Sequence, residues 1–341
     1  MDFIRSFTSL SKEDVSLAGG KGASLGEMTQ AGIPVPLGFV ILSYAFDRFI
    51  SETNIKVNID SILHKVNHQE MESVERASEE IQALILTREM PSDLQKEIVS
   101  NFDSLGSPFV AVRSSATAED SSTAAWAGQL DTFLNTTKGK LLENVKRCWA
   151  SLFTPRAIFY RFEKGLHDQH ISVAVVVQKM VESEVSGIAF SVHPVTQDYN
   201  QLIIEAGYGL GEAIVSGQIT PDSYVLEKKP FGILDKNASK QKKGIFRLAK
   251  GGNEWKEIGN EKSSKQKLSD EKIYQLGKLI LKIEDHYGFP VDVEWALEKG
   301  EFYITQSRPI TTLGARVTEK EKAKPYERVF SRDFSLPSIQ L

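Results

Sequence analysis

The chain holds 341 residues, 41% of them hydrophobic, with 41 Lys and Arg against 45 Asp and Glu for a formal net charge of −4. That length supports a sizeable core in one large domain or several lobes, and the near-balanced charge excludes a strongly basic chain and gives no sign of a nucleic-acid binder or a membrane-surface protein. No apolar run reaches the roughly 18 residues of a membrane helix, MDFIRSFTSL lacks the flank and cleavage site of a secretory signal, and the single cysteine, Cys148, excludes an internal disulfide. The expectation is a cytoplasmic protein with neither nucleic acid nor membrane as partner.

In chain order, residues 1–30 read as a short strand, a Gly-Gly-Lys-Gly turn and a short helix. AGIPVPLGFVIL leads through two prolines into a strand, and Ser43 stands where it would cap the helix YAFDRFISE. Val74, Ala77, Ile81, Leu84 and Ile85 recur at helical spacing and predict a long helix over 70–90. Pro91 ends it, and SDLQ at 92–95 has the form of a capping box opening a second helix. FVAV at 109–112 reads as a short apolar strand, followed by the small-residue loop RSSATAEDSSTAAWAGQ and the strand LDTFLN. A helix from near 139 presents Leu141, Leu142, Val145, Trp149 and Leu152 on one face, and Cys148 within it reads as a small buried hydrophobe. ISVAVVVQKM is a continuous β-branched run, as in a central strand buried on both faces. SGIAFSV and QLIIEA are further strands. Residues 228–267 hold eleven lysines with little periodicity and read as solvated hairpins or loops. Strands and helices alternate throughout, so the class is α/β or α+β.

Four stretches could carry chemistry. LAGGKGASLGEM at 17–28 is no Walker A motif, since Val15 and Gly22 stand where a glycine and a Ser or Thr belong. Its glycines would still let backbone amides approach an anion, a helix starting near Ala23 would add a positive dipole end, and Lys21 would supply a mobile charge. By itself the stretch is a weak signal and reads first as a plain turn before a helix. AVRSSATAEDSS at 111–122 puts Arg113 at the end of an apolar strand, entering a hydroxyl-rich loop. Arginine forks onto phosphate oxygens, and Gly128 and Thr132 just beyond offer a backbone and a hydroxyl contact; a structural arginine beside a surface loop is the alternative. In EAGYGLGEAIVSG at 205–217, three alternate glycines precede a short helix with Glu212 at its start, a weak signal that reads first as a turn. Nearby, a strand edge at Gln178–Val181 could pair with an adenine.

The fourth stretch is the most informative. VDVEWAL and FYITQSRPI flank EKGE, which suits a tight hairpin. Side chains alternate along strands, so Asp292 and Glu294 share one face and Val291, Val293 and Trp295 the other. A three-residue turn at 299–301 would set Glu294 opposite Gln306 and Asp292 opposite Arg308. Two carboxylates, an amide and a guanidinium then share one patch. Hard oxygens suit Mg²⁺, which needs only one or two carboxylates besides phosphate oxygens. The arginine would neutralise a phosphoryl group in transfer. An exposed polar face with a cross-strand ion pair is the plainer reading. Of six histidines, His193 in FSVHPVT is the one near this patch, and none lies in a loop typical of a phosphohistidine.

Together these stretches resemble the N-terminal ATP-binding domain of the phosphoenolpyruvate synthase, pyruvate phosphate dikinase and rifampicin phosphotransferase family. The matching text is GGKGASLGEM, GIPVPLGFVI, VAVRSSATAED, AGQLDTFLN, SLFTPRAIFYR, VQKMVESEVSGIAFSVHPVT, GYGLGEAIVSGQITPDSYV and VDVEWAL with YITQSRPI, in order over residues 1–314. The resemblance implies an ATP-grasp-like fold in two or more lobes, with 1–179 as the N-terminal lobe and 180–314 as the C-terminal lobe carrying the hairpin. It implies Lys21 and Arg113 on the phosphates, with Gly128 and Thr132 in a loop over them, and Gln178, Lys179, Met180, Val181 and Glu182 near adenine and ribose. It implies Asp292, Glu294 and Gln306 around Mg²⁺ and Arg308 on the transferring end, so that Lys21, Arg113 and Arg308 are the catalytic cations. In this family ATP is cut to AMP and phosphate, and the β-phosphoryl group passes to a histidine on a swivelling domain and then to a small-molecule acceptor, here expected to be pyruvate. An antibiotic-phosphotransferase acceptor, or a nucleotide-binding module without chemistry, are the alternatives. The phosphohistidine segment and the acceptor domain are not in this sequence. Residues 315–341 read as a charged linker and the start of a following domain, so the expectation is a fragment, or else a subunit partnered by another chain.

Overall fold

The computed structural model describes residues 2–117, 120–121, 124–125, 131–166, 169, 171–311 and 313. In its first part β1 (Ile4–Ser6) is followed by α1 (Val15–Gln30), β2 (Gly38–Ile41), α2 (Ser43–Glu52), α3 (Lys56–His64), α4 (Met71–Thr87) and α5 (Ser92–Ser104). Then come β3 (Val110–Ala116), the two-residue strands β4 (Asp120–Ser121) and β5 (Ala124–Ala125), β6 (Thr132–Thr136), α6 (Lys138–Ala150), α7 (Pro155–Glu163) and β7 (Val173–Lys179). Five of these strands form one sheet in the order β1-β2-β7-β3-β6. The β-branched run of β7 is buried from Val173 to Gln178 and lies at the centre of the sheet, as expected. Alternation divides its faces. Val110, Val112, Val173, Val175 and Val177 pack with α2 and α4–α7 around Trp149, Phe49 and Ile81. Val40, Ala174 and Val176 on the other face pack against Ala18, Leu25 and Met28 of α1.

The second sheet is built from β8 (Val185–Phe190), β9 (Gln201–Tyr208), β10 (Asp222–Lys228), β11 (Phe231–Asn237), β14 (Val291–Glu298) and β15 (Glu301–Pro309), in the order β11-β10-β9-β8-β14-β15. Between these strands lie α8 (Glu212–Val215), the hairpin of β12 (Lys243–Arg247) and β13 (Asn253–Glu257), α9 (Asn260–Ser263) and α10 (Asp270–Tyr287). One face of this sheet, with Val291, Val293 and Trp295, joins Ile273, Leu276 and Ile280 of α10 and the α1 residues above in one core. Helix α1 is thus shared by both sheets, and its two ends are tied to two different parts of the chain. Residues 1–310 form one compact unit; residues 311–341 fall in a second, of which only 311 and 313 are described. No helix among the described residues is long and apolar enough to cross a membrane.

Several local expectations are corrected. The Gly-Gly-Lys-Gly turn is a kink inside α1, at Gly19 (φ 67°, ψ 171°), and the helix resumes immediately after it. Ser43 is the first residue of α2, and its hydroxyl donates to the Ser16 carbonyl at 3.1 Å instead of capping. SDLQ forms no capping box; Pro91 occupies the N-cap position of α5 without a side-chain hydrogen bond. The lysine-rich segment is not wholly solvated. Lys267 and Asp222 form a fully buried ion pair at 2.7 Å, and Tyr224 Oη donates to the same carboxylate at 2.7 Å. A buried charge is tolerated when it is paired and hydrogen-bonded, and this pair anchors the segment to β10. Cys148 is buried as expected, and burial pushes its thiol up to about 12.

Candidate functional site

Strand β3 is longer than the apolar run that predicts it, because Ser114 and Ser115 continue it with their hydroxyls satisfied inside. Ser114 Oγ bonds Asp131 O at 2.9 Å and Ser151 Oγ at 2.9 Å. Arg113 therefore sits in mid-strand, not at the entrance to a loop, and points to the face that carries Ala111 and Ser115. It is only 7% exposed. Its Nη1 donates to Thr305 O at 2.7 Å and Gln178 Oε1 at 3.3 Å. Its Nη2 donates to Gln306 Oε1 and, at 3.5 Å, to Glu294 Oε2. One guanidinium thus joins the two sheets.

The acceptor on Thr305 has a specific origin. Strands β14 and β15 are joined by a two-residue turn, Lys299 (φ 51°) and Gly300 (φ 83°), which pairs Glu298 with Glu301. Positive φ at both positions is the demand of the tight hairpin turn that matches strand twist. The expected three-residue turn is therefore wrong. The expected register at the site nevertheless holds, Glu294 opposite Gln306 and Asp292 opposite Arg308, because a bulge beyond Trp295–Ile304 inserts Thr305. The extra residue of a bulge is left out of the ladder, and its carbonyl is the one that takes Arg113.

Arg308 donates from Nε to Asp292 Oδ2 at 2.8 Å and lies 2.7 Å from it through Nη2. Its side chain is 46% exposed against 12% for Asp292. Burial raises the Asp292 carboxyl above its ordinary value, against the pull of Arg308 and with a push from the Glu294 charge. Glu294 Oε2 and Gln306 Oε1 approach the same Arg113 nitrogen. The donor set is therefore all oxygen, with a carboxylate and an amide converging and a second carboxylate one ladder step away. Among the described residues no cluster of three or more His, Cys, Asp or Glu could hold a metal by itself. Such a partial set fits Mg²⁺ arriving with phosphate ligands of its own.

Ser115, on the same face of β3 as Arg113, explains the kink of α1. Its hydroxyl donates to Ala18 O at 2.9 Å and accepts from Gly22 N at 3.3 Å. In an uninterrupted helix those two groups would bond each other, so the hydroxyl is inserted into the i to i−4 ladder, a recognised cause of kinks. A Cβ at Gly19 would lie 2.3 Å from the Ser115 carbonyl oxygen, which is why only glycine serves there. Lys21 follows in the restarted first turn, with its side chain at the cavity.

That cavity, of about 320 Å³, is lined by Lys21, Arg113, Thr132, Gln178, Lys179, Met180, Val181, Glu294, Gln306 and Arg308 together. One end is polar. The other is closed by a small apolar cluster in which Leu134 and Met180 pack against Leu210, Ala213 and Ile245. Met180 N donates to Phe109 O at 3.1 Å, while the Val181 N–H and Met180 C=O have no backbone partner among the described residues. The strand edge expected to meet an adenine thus has one free donor and one free acceptor. Leu134, Leu210 and Glu212 also line the cavity and were not predicted to. Alternation from Thr132 points to Leu134, and Glu212 had already stood out at its helix start.

Two expected residues lie elsewhere, and a third is not described. Asp292 is behind Arg308 and not on the lining. The Glu182 carboxylate is turned to Arg247 of β12, accepting from Nε at 2.7 Å. Gly128 lies outside the described residues. His193 accepts from Val195 N at 3.3 Å and Thr196 N at 3.2 Å within its own turn and is absent from the cavity.

The family described as pyruvate phosphate dikinase, AMP/ATP-binding domain, matches residues 15–328. A probable phosphoenolpyruvate synthase of Methanocaldococcus jannaschii is 46% identical over 332 residues, covering 95% of this chain and 28% of the relative. The phosphoenolpyruvate synthase of Pyrococcus furiosus is 41% identical over 366 residues, 94% of this chain and 45% of the relative. A rifampicin phosphotransferase of Bacillus subtilis is 39% identical over 308 residues, 89% of this chain and 35% of the relative. The chain spans less than half the length of each of these relatives.

Proposed function

The chain belongs to the pyruvate phosphate dikinase AMP/ATP-binding domain family, and from that premise we propose that it is the ATP-handling part of a cytoplasmic dikinase resembling phosphoenolpyruvate synthase. The observation that supports this most is one cavity with an apolar end, a backbone donor and acceptor at its edge that no described backbone group takes, and three cations with two oxygen donors at the other end. Adenine lies between Leu134, Met180 and Leu210, bonded to Met180 C=O and Val181 N–H, with Gln178 and Lys179 beside it, while Thr132, paired with Arg113 in the β3–β6 ladder, stays at the phosphate end. The triphosphate runs toward Lys21, Arg113 and Arg308. Glu294 and Gln306 would hold Mg²⁺, which would neutralise charge on the phosphate oxygens. Asp292 aims Arg308.

Arg113 gives this reading a physical sequence. Its terminal N–H groups are already engaged by four protein oxygens. A phosphate oxygen displaces the two long contacts, to Glu294 at 3.5 Å and Gln178 at 3.3 Å. That frees the Glu294 carboxylate as the phosphate arrives. In the net half-reaction ATP, water and a histidine of a separate domain give AMP, phosphate and phosphohistidine, water taking the γ-phosphoryl group and the histidine the β-phosphoryl group, with Arg308 stabilising the charge in transit. Pyruvate is the proposed final acceptor. The Bacillus subtilis relative supports an antibiotic acceptor as the second reading, and the choice is made outside this cavity.

Calorimetric titration of the chain with ATP tests the reading. Binding should require magnesium for full strength, and Lys21→Ala should weaken it at least tenfold, about 1.4 kcal/mol. Unchanged binding in that variant removes Lys21 from the site. No ATP binding by the unmodified chain sinks the proposal.

A further inference from the structure

A second cavity, of about 600 Å³, opens among α2, α3 and α7 on the other face of the five-stranded sheet from Arg113. Its walls are apolar, with Phe46, Ile50, Phe153 and Ile158 from the core of that face. Its mouth carries Lys56, Asp60 and His64 of α3, all exposed. At its buried end lies Arg161 of α7, 6% exposed.

Arg161 is unusual in its surroundings. It donates from Nη2 to the carbonyl of Gln169 at 3.0 Å. Among the described residues no carboxylate stands within ion-pair distance of it. Asp47, the wall acid nearest the sheet, accepts the Ser172 hydroxyl at 3.1 Å. Buried arginines are ordinarily paired, because an unpaired charge away from water is costly. Among the described residues this guanidinium has one backbone acceptor and, beyond ion-pair distance, the charge of Asp60; buried and facing space of ligand size, it is a recognition element with donors to spare.

We propose that this cavity binds a small carboxylate with an apolar body, its carboxylate on Arg161 and its body against Phe46, Ile50, Phe153 and Ile158. One buried cation matches one negative charge, which favours a carboxylate over a doubly charged phosphate. A planar carboxylate also meets the guanidinium fork through two parallel bonds. At the mouth Lys56 offsets Asp60, so entry meets no strong repulsion. The site is independent of the nucleotide cavity, from which the sheet separates it.

3-Phenylpropionate is a suitable probe, with 3-phenylpropan-1-ol as its neutral counterpart, both titrated into the chain by calorimetry and saturation-transfer NMR. The acid should bind at least tenfold more tightly than the alcohol. Arg161→Gln should reduce the acid to the level of the alcohol while leaving MgATP binding unchanged. Loss of a buried arginine can unfold its helix, so a second variant is needed. Leu63→Trp fills the cavity from its half-buried rim with Arg161 intact, and should abolish binding of both probes. Equal affinity for acid and alcohol, full acid affinity in Arg161→Gln, or no binding by the unmodified chain at millimolar concentration would each overturn the proposal.

Discussion

Strand β3 and the β14–β15 hairpin each bring one arginine to the same cavity, under opposite conditions. Arg113 is buried in mid-strand and bonded to three residues of the other sheet as well as to Gln178 of its own. Arg308, near the end of β15, is 46% exposed and held by the carboxylate opposite it in the ladder. The first is a cross-link that a ligand must compete with. The second is a charge that can follow a ligand at little cost. Chemistry that needs a fixed frame and a moving charge is served by this division, since a preorganised donor need not reorganise when charge develops.

The largest effect expected from this contrast is that of Arg113→Ala. Removing one partner of a buried charged network leaves the others unsatisfied, a loss of about 3 kcal/mol. A lower urea midpoint, together with loss of ATP binding beyond a hundredfold, would bear this out. Arg308→Ala should destabilise the fold less, by about 1 kcal/mol, since its guanidinium is half in solvent but its loss leaves the buried Asp292 carboxyl without its partner. It should leave ATP affinity within tenfold, about 1.4 kcal/mol, and abolish AMP formation when a phosphohistidine domain is supplied. Equal destabilisation by the two variants would mean that the contrast between the arginines is one of position only.

The hairpin was legible because its information is local. Alternation alone separates Asp292 and Glu294 from Val291, Val293 and Trp295, and the structure keeps that division. The register came out right although its premise was wrong, since a shorter turn and a bulge at Thr305 offset each other. Nothing in YITQSRPI marks the bulge, whose purpose emerges only when Arg113 approaches from a strand nearly 200 residues away. The kink in α1 was hidden for the same reason. Glycines at 19, 20 and 22 read as a turn, whereas the helix continues because a hydroxyl from β3 replaces its missing bond. Strand β3 was cut short in prediction because Ser114 and Ser115 are poor strand formers by composition, and their compensating partners lie on α6 and α1. Sequence patterns thus gave each element's faces, while long-range hydrogen bonds decided where elements bend and end.

The smallest effect, and the most specific to the hairpin, is electrostatic. Burial raises the Asp292 carboxyl, Arg308 lowers it and Glu294 raises it again, with a net upward displacement. The native state therefore keeps a proton on Asp292 to higher pH than the unfolded chain does. The sign follows: this group favours the fold below the ordinary carboxylate range, and that contribution is lost as pH rises through the window up to its raised value. The pair with Arg308 runs the other way and forms as the proton leaves. Carboxyl-carbon NMR of Asp292 should show its titration moving down in Glu294→Gln, which removes a like charge, and up in Arg308→Ala, which removes the opposite one. A shift of the same sign in both variants would mean that packing, not charge, sets the ionisation of Asp292.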